Sequence, residues 1–525
     1  MRADLRPTVH WISRDTLVPT VSYLGILCLA YYLLAPTGNE LGESDMLRIA
    51  NTLGPLSLAL WMGWVACVTV KRSHAAIWTP YVLFSVNSAV FFGIGPLVYQ
   101  LGSAETRYAL SQGLWALTEH ELLRANLLSA VGICSVLCGF LLSTRSSMLR
   151  SAPSVTRRPG LLSNPATVAV FFLVVGGLLH YGIWLPYEFG MSSYVVAGAL
   201  SGLVATFNLG LALAAYLSAS GRITWAGIFW FLWPLHVVTT TLTFAKYGLI
   251  IAIILPALGA YLAHRNGKRL FAWALFAALV FVLAQPMVHY GRQQIMRDTG
   301  TIHRATLSER LDILAGYIFQ GGGSPSKEDP VHQRWWTRLC YAGSQTAAMR
   351  QYDRGNRNDD MDSAWRVLIP RIVWPDKPVI QPGADAYESI TGHTGSNLGV
   401  TIYADAYWHR GWTGVVLFSL VAGLVFAVMT KLTLQWLSSG SLIYLPAVFL
   451  SLNIVLVGTT EALLSVFGNI VIYVAYVVSI GLVASVRTAK YRGRRTARWD
   501  RVQTHRWQSG YPVCSAELTR SLGRS

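Results

Sequence analysis

The chain has 525 residues, of which 53% are hydrophobic and only 13% are charged. Soluble domains usually carry about 25% charged residues, so this composition excludes a water-soluble globular protein. The net charge of +17 favours a nucleic-acid partner only if the charge is gathered on one accessible face, so the placement of the basic residues decides that question.

Hydrophobic runs follow one another along the chain, and a helix needs about 20 apolar residues to cross a bilayer. We predict about 12 transmembrane helices, nine within residues 1–288 and three within residues 411–486. The predicted spans are residues 16–35, 51–70, 75–101, 125–143, 165–186, 192–218, 223–243, 247–264, 270–288, 411–430, 441–458 and 463–486. The sequence therefore predicts an all-α polytopic membrane protein with a large extracytoplasmic loop, residues 289–410, and a basic cytoplasmic tail, residues 487–525.

The basic residues are distributed unevenly between the loops. With the N-terminus inside, 24 of the 42 Lys and Arg residues fall in inside loops or the tail, 14 in the loop 289–410, and 4 in short outside loops. This asymmetry follows the positive-inside rule, from which long loops are exempt. We therefore predict that both termini are cytoplasmic, and that the first span is an uncleaved anchor because its apolar stretch is too long for a signal-peptide core.

The tail carries a juxtamembrane basic cluster of five arginines, which are Arg492, Arg494, Arg495, Arg498 and Arg501. Such clusters usually lie on anionic lipid head groups. We therefore expect the lipid bilayer as a partner and no nucleic acid.

The predicted spans are almost free of ionisable residues, whereas ion-coupled transporters bind their ion near mid-membrane. His180 and His236 are the main exceptions, and such residues more often hydrogen-bond to a neighbouring helix than relay protons. No GxxxxGK[ST] loop is present, so ATP hydrolysis is not supported. The sequence Asp360-Met361-Asp362 has a metal-binding DxD form, but we interpret it as a solvated acidic turn and predict no metal and no cofactor.

The loop between Tyr290 and Arg410 holds 12 Arg and 2 Lys against 13 Asp and Glu. Because guanidinium groups bind phosphate bidentately, this preference for Arg indicates local anion sites. Residues 306–319 read as an amphipathic helix with Thr306 and Glu309 as a capping box. A second helical stretch, residues 333–351, is expected to bring Arg334, Arg338 and Arg350 near the same surface.

A proline-rich motif at residues 369–378 reads IPRIVWPDKP. Its three prolines restrict the backbone, so Arg371, Asp376 and Lys377 are held at defined spacing beside Trp374. An anion site is one interpretation. The alternative is a rigid strap on which Arg371 only pairs with Asp376.

This motif precedes a Gly/Ser/Thr-rich stretch at residues 391–399 and the sequence TIYADAYWHRGWTGVV at residues 401–416. In this order the features resemble the large outer loop of bacterial O-antigen and capsule repeat-unit polymerases of the Wzy type. The resemblance covers roughly residues 309–430. It implies a GT-C-like multi-pass enzyme of the bacterial cytoplasmic membrane.

The resemblance further implies glycosyl transfer on the outer face of that membrane. A sugar chain on a polyprenyl diphosphate would pass to the non-reducing hydroxyl of a second lipid-linked repeat unit, without a nucleotide. The implied partners are the polyprenyl-diphosphate-linked oligosaccharide, a flippase and a chain-length regulator. Fixed cations should stabilise the leaving diphosphate, and a carboxylate or His should take the acceptor's proton.

Two sets of candidate residues follow from these requirements. The catalytic candidates are Arg371, Asp376, Asp405 and His393, with Glu388 as a further proton acceptor. The candidates for binding diphosphate or glycan are Lys377, Arg292, Arg297, Arg366, Trp374 and Arg410.

Three other functions stay open at this point. An O-antigen ligase would share the topology and differ in its acceptor. A lipid-linked oligosaccharide flippase would need charged residues facing a central cavity and paired halves. A membrane scaffold for envelope assembly would use Arg371 and Asp376 only structurally.

Overall fold

A computed structural model describes residues 14–35, 43–111, 116–145, 164–192, 203–299, 305–319, 335–358, 382–392 and 399–457, with single positions at 369, 374, 474, 476, 478 and 479. The described secondary structure is helical, and no β-strand occurs in these ranges. The helices discussed below belong to one compact unit, Met1–Val471.

The helices are labelled in chain order. They begin with α1 (Arg14–Leu34), α2 (Glu43–Arg72), α3 (Pro80–Asn87), α4 (Val98–Leu101), α5 (Ala104–Leu110), α6 (Glu119–Arg145), α7 (Pro165–Leu179), α8 (Leu185–Glu188) and α9 (Thr206–Ala219). They continue with α10 (Ile223–Leu242), α11 (Lys246–His264), α12 (Gly267–Thr299), α13 (Leu307–Phe319), α14 (Ala342–Asp353), α15 (Pro382–Thr391), α16 (Ile402–Ser439) and α17 (Leu445–Val457). Short 3-10 turns lie at His74–Trp78, Thr337–Leu339 and Leu442–Tyr444, and π turns at Ser88–Ile94 and His180–Trp184.

Nine helical stretches in the described part of the chain are long and apolar enough to cross a membrane. Two shorter apolar helices, Thr206–Ala219 and Leu442–Leu452, coincide with two further predicted spans. The chain is thus a helical, multi-pass membrane protein, as predicted. The predicted span 463–486 lies almost wholly outside the described residues, so the count of about 12 stays a prediction.

The described parts of segment 289–410 contact helix ends on one face, which we call the loop face. Arg350 Nε donates to Glu121 Oε1 at the start of α6, at 2.7 Å. Trp336 Nε1 donates to the carbonyl oxygen of Ile94, just before α4, at 3.0 Å. The segment therefore caps one side of the helix assembly.

The other ends of the helices form the opposite face. Two tight helix hairpins turn there, at residues 220–222 and 265–266. His74, between α2 and α3, hydrogen-bonds through Nδ1 to the hydroxyl of Tyr261 near the end of α11, at 2.7 Å. The helices thus alternate between the two faces, as expected for consecutive spans.

The central contact of the fold is between α6 and α16. A Cβ atom added at Gly423 would overlap the carbonyl oxygen of Val136, and one added at Gly139 would overlap that of Leu420. The two backbones therefore touch. Close approach at small residues is the usual way for membrane helices to associate, because lipid supplies no hydrophobic force between them.

Two predicted elements of the loop have different outcomes. The amphipathic helix is confirmed as α13, since Thr306 N donates to Glu309 Oε2 at 2.7 Å and Glu309 N to Thr306 Oγ1 at 3.4 Å. The second predicted helix, residues 333–351, is wrong in its first part. Residues 337–339 form a 3-10 turn, and α14 begins only at Ala342.

Two predicted spans are irregular in the structure. The span 75–101 consists of a 3-10 turn, α3, a π turn and α4. Pro96, which lacks the N–H that a continuous helix needs, lies at the break between the π turn and α4. The span predicted to start at residue 411 belongs to the longer α16, which breaks at Arg410 and Gly411. Gly411 has φ +60° and ψ −152° there, a conformation that favours glycine.

The two faces should lie on opposite sides of the membrane. In a chain whose native cysteines are replaced by Ser, we expect Arg354→Cys on the loop face to react with a membrane-impermeant maleimide in intact cells. Lys268→Cys on the opposite face should react only after permeabilisation. Reaction of both positions under the same condition would contradict the alternating arrangement.

The contact between α6 and α16 should not tolerate a side chain at Gly423. We expect Gly423→Leu to destabilise the detergent-solubilised protein by about 1–3 kcal/mol through overpacking, measured as thermal unfolding. Gly25→Leu is the matched control, because a Cβ atom at this exposed position meets nothing within 4 Å. Equal melting temperatures for the two variants would show that the close approach is not needed.

Candidate functional site

Three basic side chains from distant parts of the chain meet at the loop face. Lys246 begins α11, Arg292 lies near the end of α12, and Arg338 lies in the 3-10 turn before α14. Lys246 interacts electrostatically with both arginines, and the two arginines interact with each other. We call these residues the cation cluster. Since all three charges repel, a bound anion would lower the free energy of the arrangement.

The turn between α10 and α11 positions two members of the cluster. Phe244 adopts a left-handed conformation with φ +51°, and its carbonyl oxygen accepts a hydrogen bond of 2.9 Å from Arg292 Nε. Gly291 leaves room for the Phe244 ring, which a Cβ atom there would overlap. These contacts fix the start of α11, and with it Lys246, beside α12.

Arg338 is positioned by the contacts of its neighbours in the 3-10 turn. Besides the hydrogen bond from Trp336 to Ile94, the carbonyl group of Leu339 packs against Gly95, where a Cβ atom would overlap it. The end of the π turn, at Ile94 and Gly95, is thus where this segment packs. Arg338 itself is exposed, whereas Lys246 and Arg292 are half-buried.

A fourth cation near the cluster, Arg310 on α13, has a structural role. It is fully buried and donates to the carbonyl oxygens of Ala305, Leu242 and Glu188 at 3.1, 3.1 and 2.7 Å. Burial lowers the pKa of Arg310, and the Glu188 carboxylate partly offsets that shift. Arg310 thus ties α13 to the ends of α8 and α10. Glu188 also attracts Arg292.

A cavity of about 410 Å³ adjoins the cation cluster. It is lined by Val98, Gly102, Ser103, Thr106, Val282, Gln285, Pro286, His289, Trp335, Trp336 and Thr337. His289 lies one helical turn before Arg292, and Thr337 directly precedes Arg338. The indole rings of Trp335 and Trp336 stack with centroids 5.8 Å apart. Amide, imidazole and hydroxyl groups beside indole rings suit a sugar, because they offer hydrogen bonds next to a flat apolar surface.

A polar network surrounds the start of α16. Asn358 Nδ2 donates to Asp405 Oδ1 at 3.2 Å, His409 Nδ1 hydrogen-bonds to the carbonyl oxygen of Asn358, and Trp408 Nε1 donates to the carbonyl oxygen of Asn356 at 2.7 Å. Asp405 and His409 are 4% and 7% exposed. These contacts fasten the segment after α14 to α16, while the proton-accepting role of Asp405 stays a prediction.

Two ion pairs that the sequence analysis missed hold α14 in place. Arg124 Nη2 donates to Asp353 Oδ2 at 3.0 Å and to the Tyr407 hydroxyl at 3.3 Å. The same hydroxyl donates to Asp353 Oδ1 at 3.0 Å. The second pair is Arg350 with Glu121, so this loop arginine stabilises the structure. Pairs of this kind give no local signal in the sequence, because more than 200 residues separate their members.

The predicted site residues have different positions in the structure. Arg371, Asp376, His393, Lys377 and Arg366 lie outside the described residues. Trp374 is a single described position and is partly buried. Arg297 lies five residues beyond Arg292 on α12, and only its backbone is described. Arg410 is exposed at the break in α16. Arg292 alone joins the cation cluster, whereas Asp405 belongs to the network at α16.

Buried polar side chains also meet between the predicted membrane spans. His236 hydrogen-bonds through Nε2 to Asn208 Oδ1 at 2.9 Å and through Nδ1 to the Tyr181 hydroxyl at 3.1 Å. The predicted preference for bonds between helices is confirmed for His236. His180 lies against it, with ring centroids 4.9 Å apart. Within the described ranges, no group of three or more His, Cys, Asp or Glu residues is arranged to hold a metal.

Comparison of the chain with models of protein families, with curated proteins and with solved structures found no match. We therefore infer the function from the cation cluster, the adjoining cavity and the sequence motifs.

The cation cluster should bind diphosphate. We expect inorganic pyrophosphate to raise the melting temperature of the purified protein, because a ligand that binds only the folded state stabilises it by about 2.7 kcal/mol at 100 times its Kd. Arg338→Gln and Lys246→Gln should lose this rise and should melt no lower than the unmodified protein without ligand, since each removes a repulsion.

Arg107→Gln on α5 is the matched control, because Arg107 is exposed and lies outside the cluster. It should keep the full response to pyrophosphate. An unmodified protein that does not respond, or cluster variants that respond fully, would contradict diphosphate binding at this position.

Proposed function

We propose that the protein is a membrane glycosyltransferase that joins polyprenyl-diphosphate-linked oligosaccharide repeat units into a surface polysaccharide on the outer face of the cytoplasmic membrane. One observation carries the proposal: three mutually repelling cations lie beside a tryptophan-lined polar cavity at the ends of apolar helices. The resemblance of residues 309–430 to repeat-unit polymerases supports the same function independently of this geometry.

The three parts of the proposed substrate correspond to three neighbouring parts of the site. A lipid-linked oligosaccharide has an apolar tail, a diphosphate and a sugar chain. The cation cluster suits the diphosphate, and the cavity beside Trp335 and Trp336 suits the first sugars. Leu275, Leu279 and Leu283 are each more than half exposed along α12, which suits a tail lying against that helix below the cavity.

The proposed reaction is a displacement at the anomeric carbon of the donor sugar. The acceptor hydroxyl attacks the anomeric carbon of the donor sugar, a new glycosidic C–O bond forms, and the bond from that carbon to the diphosphate oxygen breaks. Negative charge grows on the leaving diphosphate, so cations already fixed beside it stabilise the transition state more than the ground state. We place Lys246, Arg292 and Arg338 in this role, together with the predicted Arg371 and Lys377.

The proton of the acceptor hydroxyl needs a base within hydrogen-bonding reach. Asp376, Asp405 and His393 remain the proposals from the sequence. The structure suggests a further candidate, His289, which lines the cavity one turn before Arg292. An imidazole nitrogen can accept the proton of a hydroxyl, and the protonated ring can donate it again in the same cycle.

The alternatives fit the structure less well or differ only in the acceptor. In the described contacts the cation cluster lies at helix ends, whereas a flippase would carry its charged residues along a path through the membrane. A scaffold has no need for three repelling cations beside a cavity. An O-antigen ligase would use the same donor site, so the acceptor distinguishes it from a polymerase.

Cells lacking the gene test the proposal when complemented with single variants. We expect Lys246→Ala, Arg292→Ala and Arg338→Ala to lose long polysaccharide chains and to keep single-repeat glycan. Removal of one fixed donor to a developing anion typically lowers the rate by about 10²–10³. The measurement is the chain-length distribution of surface polysaccharide on gels, with the membrane level of each variant determined by immunoblot.

Arg48→Ala is the control, because Arg48 is an exposed residue near the start of α2 and lies outside the site. Arg371→Ala should behave like the cluster variants if the proline motif completes the anion site. Normal chain lengths in all three cluster variants would refute the assigned role. Loss of both long chains and single-repeat glycan would indicate a flippase instead.

A further inference from the structure

A second cavity, of about 280 Å³, lies at the opposite face between the two helix hairpins. The residues that line it change from polar and charged at the mouth to aromatic further inside. His264, Asn266 and Arg269 lie at the mouth, and Phe229, Trp230 and Trp273 form the wall. The site is separate from the cation cluster, which lies at the loop face.

The positions of these residues along their helices set the depth of the cavity. His264 is the last residue of α11 and Arg269 the third of α12, so both lie at the helix ends. Trp230 and Trp273 lie seven and six residues inside α10 and α12. At 1.5 Å per residue these positions are about 9–10 Å from the helix ends, and Trp273 is about 6 Å beyond Arg269 along α12. The cavity therefore leads from a charged mouth into an aromatic interior within the span of one lipid head group and glycerol.

The aromatic wall is rigid and faces the bilayer on one side. Trp233 donates from Nε1 to the carbonyl oxygen of Ala252 at 2.9 Å, and it contacts the rings of Phe229 and Trp273 with centroids 5.7 Å apart in each case. Trp230 packs on the same Trp233 ring but is 57% exposed. A lipid chain can therefore enter from the bilayer and lie against a fixed surface.

The mouth of the cavity is positively charged. Arg269 lines it, no Asp or Glu is among its described lining residues, and Lys268 adjoins it in the chain. Arg222 and Arg265, from the two hairpin turns, both interact electrostatically with Tyr216 on α9. Arg265 also interacts with Tyr261, which lines the cavity. Arg269 at the mouth, with Lys268 beside it in the chain, would attract an anionic head group.

The head group would be bound by side chains, because the helix N-terminus is already capped. The Asn266 side-chain oxygen accepts hydrogen bonds from the backbone N–H groups of Lys268 and Arg269, at 3.0 and 3.3 Å. These amides are therefore used within the turn. The Arg269 guanidinium is the donor at the mouth that can bind a phosphate bidentately.

We propose that this cavity binds an acidic phospholipid of the bilayer, with its phosphate at Arg269 and its glycerol and upper acyl chain against Phe229, Trp230 and Trp273. A free phosphate would gain nothing from the aromatic wall, and a neutral lipid would gain little from the basic mouth. The inference is independent of the glycosyltransferase proposal, because it uses none of the same residues.

Lipid binding to the purified full-length chain in detergent tests the proposal. Native mass spectrometry would follow titrations with phosphatidylglycerol and with phosphatidylcholine of the same acyl chains. We expect at least about tenfold preference for phosphatidylglycerol, which corresponds to about 1.4 kcal/mol. Arg269→Gln should weaken phosphatidylglycerol binding about fivefold, since one basic residue near the surface contributes about 1 kcal/mol. Arg107→Gln, which removes an exposed charge at the loop face, should leave binding unchanged.

A second variant keeps the test decisive if Arg269→Gln does not fold. Ala260 lines the cavity, so Ala260→Phe should fill it and reduce binding of both lipids while the basic mouth stays intact. Equal binding of the two lipids by the unmodified protein would overturn the proposal. So would unchanged phosphatidylglycerol binding in both variants, or full displacement of the lipid by inorganic phosphate at equal concentration.

Discussion

The candidate site depends on three positive charges being held together against their mutual repulsion. They are held by hydrogen bonds and packing contacts of the surrounding chain. The carbonyl oxygen of Phe244 fixes Arg292 through a hydrogen bond of 2.9 Å, and the contacts of Trp336 and Leu339 fix the turn that carries Arg338. A protein with a purely structural role would have little use for this arrangement, because like charges raise the free energy of the empty state. An anionic ligand removes that penalty, which is why we assign the cluster to the diphosphate.

The arginines of the long loop serve different purposes, although the sequence presents them as one group. Arg350 pairs with Glu121, and Arg310 is buried against three carbonyl oxygens. Of the arginines counted in this loop, Arg292 and Arg338 contribute their charges to the cation cluster. An excess of Arg in a loop therefore indicates anion binding only after the structural pairs have been identified. The structural arginines still matter to the site, since they hold α13 and α14 on the loop face.

Local patterns in the sequence predicted the parts of the fold that depend on local physics. The capping box of Thr306 and Glu309 and the apolar spans are of this kind. The break at Gly411 lies against Tyr352, and Gly95, just after the π turn, lies against Leu339. These contacts join distant parts of the chain, so no local pattern indicated them, and only Pro96 marks the break before α4 locally. Lys246 had a signal that was not used: it is one of only 4 basic residues in the predicted short outside loops. A basic residue that departs from the positive-inside rule needs a stabilising partner or a function, and binding of an anionic ligand is one such function.

The cost of burying charge in the bilayer places basic residues at the helix ends on both faces. The two cavities differ in the other residues that line them. Charged side chains are expensive at mid-membrane, so any contact with an anion has to form at helix ends. At the loop face the basic residues adjoin Gln285, His289 and Ser103, whose polar groups can hydrogen-bond a sugar. At the opposite face Arg269 shares its cavity with Phe229 and Trp273, whose rings offer an apolar surface to a lipid chain. We therefore propose a glycan-bearing lipid as the ligand on one face and a membrane phospholipid as the ligand on the other, because the residues beside each basic group differ.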